Sequence, residues 1–232
     1  MTPTHISAPP TTATAAAWRY LTPFVAFMVL LVTAGRIPLA PGIELPLRFA
    51  ILAAVCAVCW PGEIGLRLRA PLLTTAVGVG VFLIWIVPDV LIPGYRSLPI
   101  FSNSLVGHVH SSLPAVSLLS AWVLFWRTAR AVLIVPIVEE LFWRGWLLRW
   151  LIDREFSRVP VGTYAAGAFW ITALLFASEH GPYWDVGLIA GIGYNLLLIR
   201  TKSLVDCMLA HAVTNGLLSW YVIATAQWQY WQ

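Results

Sequence analysis

Charge is what this sequence has least of: of 232 residues, 14 are Lys or Arg and 10 are Asp or Glu. A soluble domain of that length would carry roughly a quarter charged residues, about 58. With 59% hydrophobic residues and a mean hydropathy of +0.80, too little polar surface remains to cover a water-exposed globule. A soluble single domain is therefore excluded, and so are a disordered chain, a collagen and a nucleic-acid-binding module. The net charge of +4 comes from basic residues scattered between apolar runs, a distribution that suits loop anchors and not a nucleic-acid surface. Cysteine is scarce as well. Cys56, Cys59 and Cys207 all lie inside apolar runs, an odd count that gives no disulfide framework and reads as packing. Residues 1–17 hold no Lys or Arg, so they lack the basic segment of a signal peptide and read as a disordered tail rich in Thr, Pro and Ala.

What is present is apolar sequence in long runs, which predicts an all-α, polytopic transmembrane helical bundle in the lipid bilayer. The runs extend from about Trp18 to Ala34, Leu47 to Trp60, Pro71 to Ile92, Leu113 to Leu151, Ala165 to Ala177, Trp184 to Ile199 and Leu204 to Ala226. As one straight helix the Leu113 to Leu151 run would be about 58 Å long, nearly twice a bilayer core, so it is expected to break or to lie partly along the interface. Arg127 with Arg130 marks one candidate break and Pro136 a candidate kink. Counted as one crossing, the run gives seven spans and puts Arg67, Arg69, Arg149, Arg154, Arg158, Arg200 and Lys202 on one side, cytoplasmic by the positive-inside rule. Counted as two, it gives eight spans and splits those clusters, so seven is preferred. Gly187, Gly191 and Gly193 give the sixth run a small face, read as helix packing.

Ionisable residues inside such runs cost roughly 2.5–3.5 kcal/mol each on insertion scales and call for a reason. Three groups stand out. In Glu139-Glu140-Leu141-Phe142-Trp143-Arg144, Glu140 and Arg144 are four apart and share a helix face, whereas Glu139 points about 100° away. That spacing pairs Glu140 with Arg144 and leaves Glu139 to face a cavity; the bland alternative is one ion-pair cluster that only joins helices. His180 closes the fifth run in Phe176-Ala177-Ser178-Glu179-His180, where it could equally be a helix cap. In the last run His211 and Asn215 are four apart, and they too could simply tie helices together. Converging from three helices, the set has the parts for water activation by Glu139 with His180 and for oxyanion stabilisation by His211 with Asn215.

These residues, in this order and spacing, resemble the CAAX-protease and bacteriocin-processing (CPBP, or Abi) family of intramembrane proteases. Two Glu with an Arg four after the second are met by Glu139, Glu140 and Arg144; Phe-x-x-x-His by Phe176 and His180; His-x-x-x-Asn by His211 and Asn215. The resemblance implies a glutamate-dependent peptidase in which Glu139 and His180 activate water, His211 and Asn215 form the oxyanion hole, and Glu140, Arg144 and Phe176 support them. It covers roughly residues 131–232, the expected catalytic core, after N-terminal transmembrane helices at 18–130 and the tail at 1–17. The stretch Val135 to Arg144 and the ending through Trp231 look like the CAAX prenyl protease-related subgroup associated with exosortase and surface-protein sorting. That implies a multi-pass protein of a bacterial inner membrane, acting on a membrane protein or peptide, with a surface-protein sorting tail as one candidate substrate.

Two other readings stay open. Glu139, His180 and His211 would make a His₂Glu set of the kind that binds catalytic zinc, although His-Glu-x-x-His is missing; no cofactor is otherwise expected. A non-catalytic scaffold or immunity factor could use the same cavity to bind a peptide or lipidated tail. A transporter fits least, because the charges gather at one site and no repeats or paired broken helices occur.

Overall fold

A computed structural model describes residues 13–34, 36, 38–110 and 120–231. Among them the regular structure is helical, in seven helices: α1 (Ala13–Val32), α2 (Pro41–Cys59), α3 (Pro71–Leu91), α4 (Ala121–Ile152), α5 (Ala166–Ser178), α6 (Trp184–Thr201) and α7 (Leu204–Thr225). The protein is thus a polytopic helical bundle of a membrane. Most of the expected tail, residues 1–12, lies outside the described residues, and helix begins at Ala13.

By length and apolarity four helices can cross a bilayer: α2, α3, α4 and α7. The expected seven spans and the seven helices agree in number but not in kind. The apolar stretch Ala17–Val32 and helix α5 are shorter, and α5, at 13 residues, is about 20 Å long. Helix α6 is buried along most of its length, at Val186, Gly187, Ala190, Gly191, Tyr194, Asn195, Leu197 and Leu198. A helix sheltered by protein can carry Asn and Gly without exposing them to lipid.

The expected break near Arg127 and Arg130 does not occur; α4 is continuous from Ala121 to Ile152, so the boundary drawn at residues 130 and 131 falls inside it. At 32 residues the helix is about 48 Å long. It adjusts through two wide π turns, Arg130–Ile134 and Leu141–Leu147. The first turn accommodates Pro136, which lacks an N–H and crowds the preceding turn. Val135 N–H reaches back to the Arg130 carbonyl, five residues away. Ser120 caps the start of α4 by accepting from Val123 N, and Arg149 ties down its end, donating to the Gly145 and Val159 carbonyls at 3.0 and 2.8 Å.

Helices α3 and α7 pack closely at Gly78, where a Cβ would stand 2.5 Å from the Ala210 carbonyl oxygen. Asp206, fully buried, holds the start of α3 against α7 by accepting from Arg69 N, Ala70 N and Thr74 Oγ1 at 3.0, 2.9 and 2.7 Å. It supplies the N-cap that the α3 sequence lacks. Cys56, Cys59 and Cys207 are buried free thiols, as packing residues should be.

Candidate active site

The geometry starts from the two adjacent glutamates on α4. Glu140 is fully buried and its Oε1 accepts from Arg144 Nη1 at 3.1 Å and from His211 Nδ1 at 3.0 Å. Arg144, also without solvent exposure, donates Nε to Asn195 Oδ1 at 3.0 Å and Nη2 to the Gly191 carbonyl at 3.2 Å. Its guanidinium lies 4.4 Å from the centre of the Phe176 ring. Asn195 in turn donates to the Phe169 carbonyl at 3.0 Å, so one cation joins α4, α5 and α6. Glu140 and Arg144 therefore form a buried pair, as their spacing predicts, and the pair extends to His211.

Glu139 turns the other way. It lines a cavity of about 370 Å³ together with His180, His211 and Asn215, so four residues from three sequence regions meet at one void. No hydrogen bond or ion pair reaches the Glu139 carboxylate among the described residues, and its Oε2 is buried and unpartnered. The wall includes Phe27, Met28 and Leu31 of α1 and Trp85 of α3. The N-terminal half thus supplies one side of the cavity.

His180 reaches this cavity because α5 is short. Starting the helix near Pro160 would set His180 about 30 Å along it. The chain instead makes a 3₁₀ turn at Phe156–Arg158 and a connection before helix begins at Ala166. A second 3₁₀ turn at Gly181–Tyr183, entered through Gly181 with φ of +51°, leads directly into α6. Arg96 fixes this turn from the α3 side, donating Nη1 to the Pro182 carbonyl at 2.9 Å and pairing with Asp89 and Asp185. His180 Nδ1 is 2.7 Å from the Phe176 carbonyl. A carbonyl only accepts, so Nδ1 carries the proton and the neutral ring keeps Nε2 as an acceptor.

Gly187 makes room for that imidazole, since a Cβ there would stand 3.0 Å from His180 Cγ and Nδ1. The small face of α6 is thus packing at Gly191 and Gly193, and at Gly187 it also positions a site residue. Gly187→Ala should keep the fold, because Ala favours helix by up to about 1 kcal/mol over Gly. It should displace His180 by a few tenths of an ångström and lower kcat about tenfold, read by comparing turnover with the thermal midpoint.

Phe176 stands at the centre of the cluster, with its ring 4.7 Å from the His180 ring and 6.1 Å from that of His211. Asn215 Nδ2 donates to the Ala131 carbonyl at 2.8 Å. In the π turn Val135 N–H is committed to Arg130, and Pro136, five residues beyond Ala131, has no N–H to give. Asn215 therefore satisfies a carbonyl that the wide turn releases, and its second amide hydrogen remains for a ligand. His211 donates Nδ1–H to Glu140, so its Nε2 donates only when the ring carries both protons.

Glu179, Arg127 and Arg130 also line the cavity, although no motif spacing points to them. Glu179 directly precedes His180, and the two arginines lie within α4. The signal for all three was their rarity in an apolar context. Among the described residues no group of three His, Cys, Asp or Glu side chains is placed to hold a metal ion.

Residues 120–217 match the family model described as Type II CAAX prenyl endopeptidase Rce1-like. This segment is similar to the CAAX-protease family. It contains Glu139, Glu140, Arg144, Phe176, His180, His211 and Asn215, and it begins with α4, about ten residues before the expected core. The similarity is to a family of endopeptidases and covers 98 of the 232 residues. No curated protein and no solved structure matches the chain.

Proposed function

We propose that the protein is an intramembrane endopeptidase of glutamic type, which hydrolyses a peptide bond of a membrane-associated protein through water activated by Glu139 and His180. The observation that carries this is the shared cavity, in which an unpaired carboxylate, two imidazoles and a carboxamide meet under apolar walls. Water binds between Glu139 and Nε2 of His180. As its oxygen attacks the scissile carbonyl carbon, its proton passes to the Glu139 carboxylate. The carbonyl oxygen becomes an oxyanion, held by the free amide hydrogen of Asn215 and by Nε2–H of doubly protonated His211. Glu139 then returns the proton to the nitrogen as the C–N bond breaks, and no covalent intermediate forms.

The mechanism uses no metal, and the candidate substrates are membrane-protein tails, including surface-protein sorting tails in a bacterial cell membrane. Cleavage of such tails by the membrane-reconstituted protein should be unaffected by chelator and absent from Glu139→Gln, with His180→Ala strongly impaired. Chelator inhibition reversed by zinc would overturn the metal-free mechanism. If Glu139→Gln instead functions fully in the cell, the cavity is a binding site and the scaffold reading holds.

The side on which the cavity opens follows from charge. Arg67, Arg69, Arg149 and Lys202 line a second concavity at the end of the bundle where α2, α4 and α6 finish. By the positive-inside rule that end is cytoplasmic, and the cavity at Glu139, walled by Leu31 and Trp231, opens toward the other. A cysteine introduced at exposed Ser104 should react with a membrane-impermeant maleimide in intact cells, and one at exposed Ser157 only after permeabilisation. The native thiols are buried and should stay silent. The reverse labelling pattern would invert the orientation.

A further inference from the structure

At the end of the bundle away from Glu139, three interhelical connections bring four cations around one hollow. Arg67 and Arg69 lie between α2 and α3, Arg149 near the end of α4, and Lys202 between α6 and α7. All four line a concavity of about 790 Å³ in which Glu63 is the one acid. Glu63 accepts from Tyr20 Oη at 2.8 Å, and among the described residues none of the four cations forms an ion pair. The positive-inside rule explains why basic residues lie at this end of the chain's spans. It does not explain why those of three separate connections face one concavity.

The hollow is held in shape by bonds that leave its charge intact. Arg149 is buried and donates to the Gly145 and Val159 carbonyls at 3.0 and 2.8 Å. Lys202, in left-handed backbone with φ of +54°, donates Nζ to the Gly162 carbonyl. A Cβ on Gly162 would stand 2.6 Å from Lys202 Cδ, so the lysine stem is packed against that bend. Carbonyls satisfy the donors and cancel none of the charge. A concave surface lined by charge of one sign focuses the field into its interior, and an anion is the complement that this one lacks.

The surroundings say which anion. The concavity lies where α2 and α4, which can cross a bilayer, come to their ends, at the depth of lipid headgroups. Ile64, Leu68 and Leu204 line it beside the cations, and Leu66 and Leu72 flank it at 75% and 88% exposure. A soluble phosphate would leave those leucines in water, whereas a phospholipid covers them with its acyl chains. We propose that this concavity is a phosphate site that holds the headgroup of an anionic phospholipid. Basic hollows between membrane helices suit such headgroups. The assignment stands apart from the peptidase reading.

The test follows the thermal midpoint of the full chain in detergent micelles as phosphatidylglycerol or phosphatidylcholine is titrated in. Both lipids carry a phosphodiester, but phosphatidylcholine brings its own cation. The midpoint should rise saturably with phosphatidylglycerol alone, in wild type and in Glu139→Gln equally. Arg67→Gln with Lys202→Gln should raise the lipid concentration needed about thirtyfold. Arg158→Gln with Arg200→Gln removes the same charge from exposed positions at the same end but outside the concavity, and should raise it less than about threefold. Should the first pair lower the midpoint without lipid, Arg67→Glu carries the test, because the Arg67 side chain makes no hydrogen bond or ion pair among the described residues. Equal response to the two lipids overturns the proposal, and so does equal loss in the two double variants, which would mean a diffuse basic surface. Glycerol 3-phosphate that raises the midpoint in phosphatidylcholine micelles, and displaces phosphatidylglycerol at similar concentration, would assign the hollow to a soluble phosphate and overturn the lipid.

Discussion

Replacing Glu139 by Gln should abolish cleavage, by about a thousandfold or more, while the protein folds as well as wild type or slightly better. The two halves of this expectation come from one geometry. Removing a positioned general base costs roughly 10²–10⁴ in rate, and in the proposed mechanism Glu139 both takes the water proton and returns it to the leaving nitrogen. Its carboxylate has no ion pair or hydrogen bond among the described residues, so an amide of equal size leaves no buried partner stranded. Purified Glu139→Gln should therefore show an unchanged or raised thermal midpoint and no product. A protein that is inactive because it fails to accumulate would give the same activity result for another reason, and the midpoint separates the two. Substantial residual turnover, above about a tenth of wild type, would remove Glu139 from the chemistry and leave His180 Nε2 as the acceptor to examine.

The sequence went furthest where a spacing rule met an expensive residue. Glu140 and Arg144 are four apart, and the rule that such residues share a helix face predicted both their pairing and the divergence of Glu139. The π turn at Leu141–Leu147 did not spoil this, because the bond from Arg144 to Glu140 still forms at 3.1 Å. Convergence of α4, α5 and α7 on one cavity was legible only as a constellation, since no periodicity says which helix faces meet. Continuity of α4 was not legible. Arg127, Arg130 and Pro136 all read as interruptions when each is judged alone, and the wide turn that absorbs them depends on an amide from α7, Asn215, that takes the released carbonyl of Ala131. The shortness of α5 was legible, since the apolar run from about Ala165 to Ala177 is no longer than the helix. The role of Gly187 was hidden, because a small-residue stripe looks the same whether it faces a helix or an imidazole.

Arg144→Met should be the opposite of Glu139→Gln, a failure of folding ahead of any failure of chemistry. The guanidinium serves four groups at once: Glu140, Asn195, the Gly191 carbonyl and the face of Phe176. Methionine fills part of the volume but leaves the Glu140 carboxylate fully buried with His211 as its remaining partner, and it strands the Asn195 acceptor. Breaking a buried pair from one side costs about 3–5 kcal/mol, a large fraction of the stability of an ordinary domain. Arg144→Met should accumulate poorly and unfold well below wild type in detergent. Arg144→Lys should recover only part of the loss, since one ammonium cannot reach Asn195, Glu140 and the Gly191 carbonyl in three directions from a single point. The double variant Arg144→Met with Glu140→Leu separates charge from shape. If the cost is the stranded carboxylate, the pair of changes should restore much of the stability that the single change loses. Its activity should stay low even so, because His211 then has nothing to hold Nδ1–H and the ring is free to turn away from the oxyanion. Stability regained together with activity would show that Glu140 does nothing for His211 and that the cluster serves the fold alone.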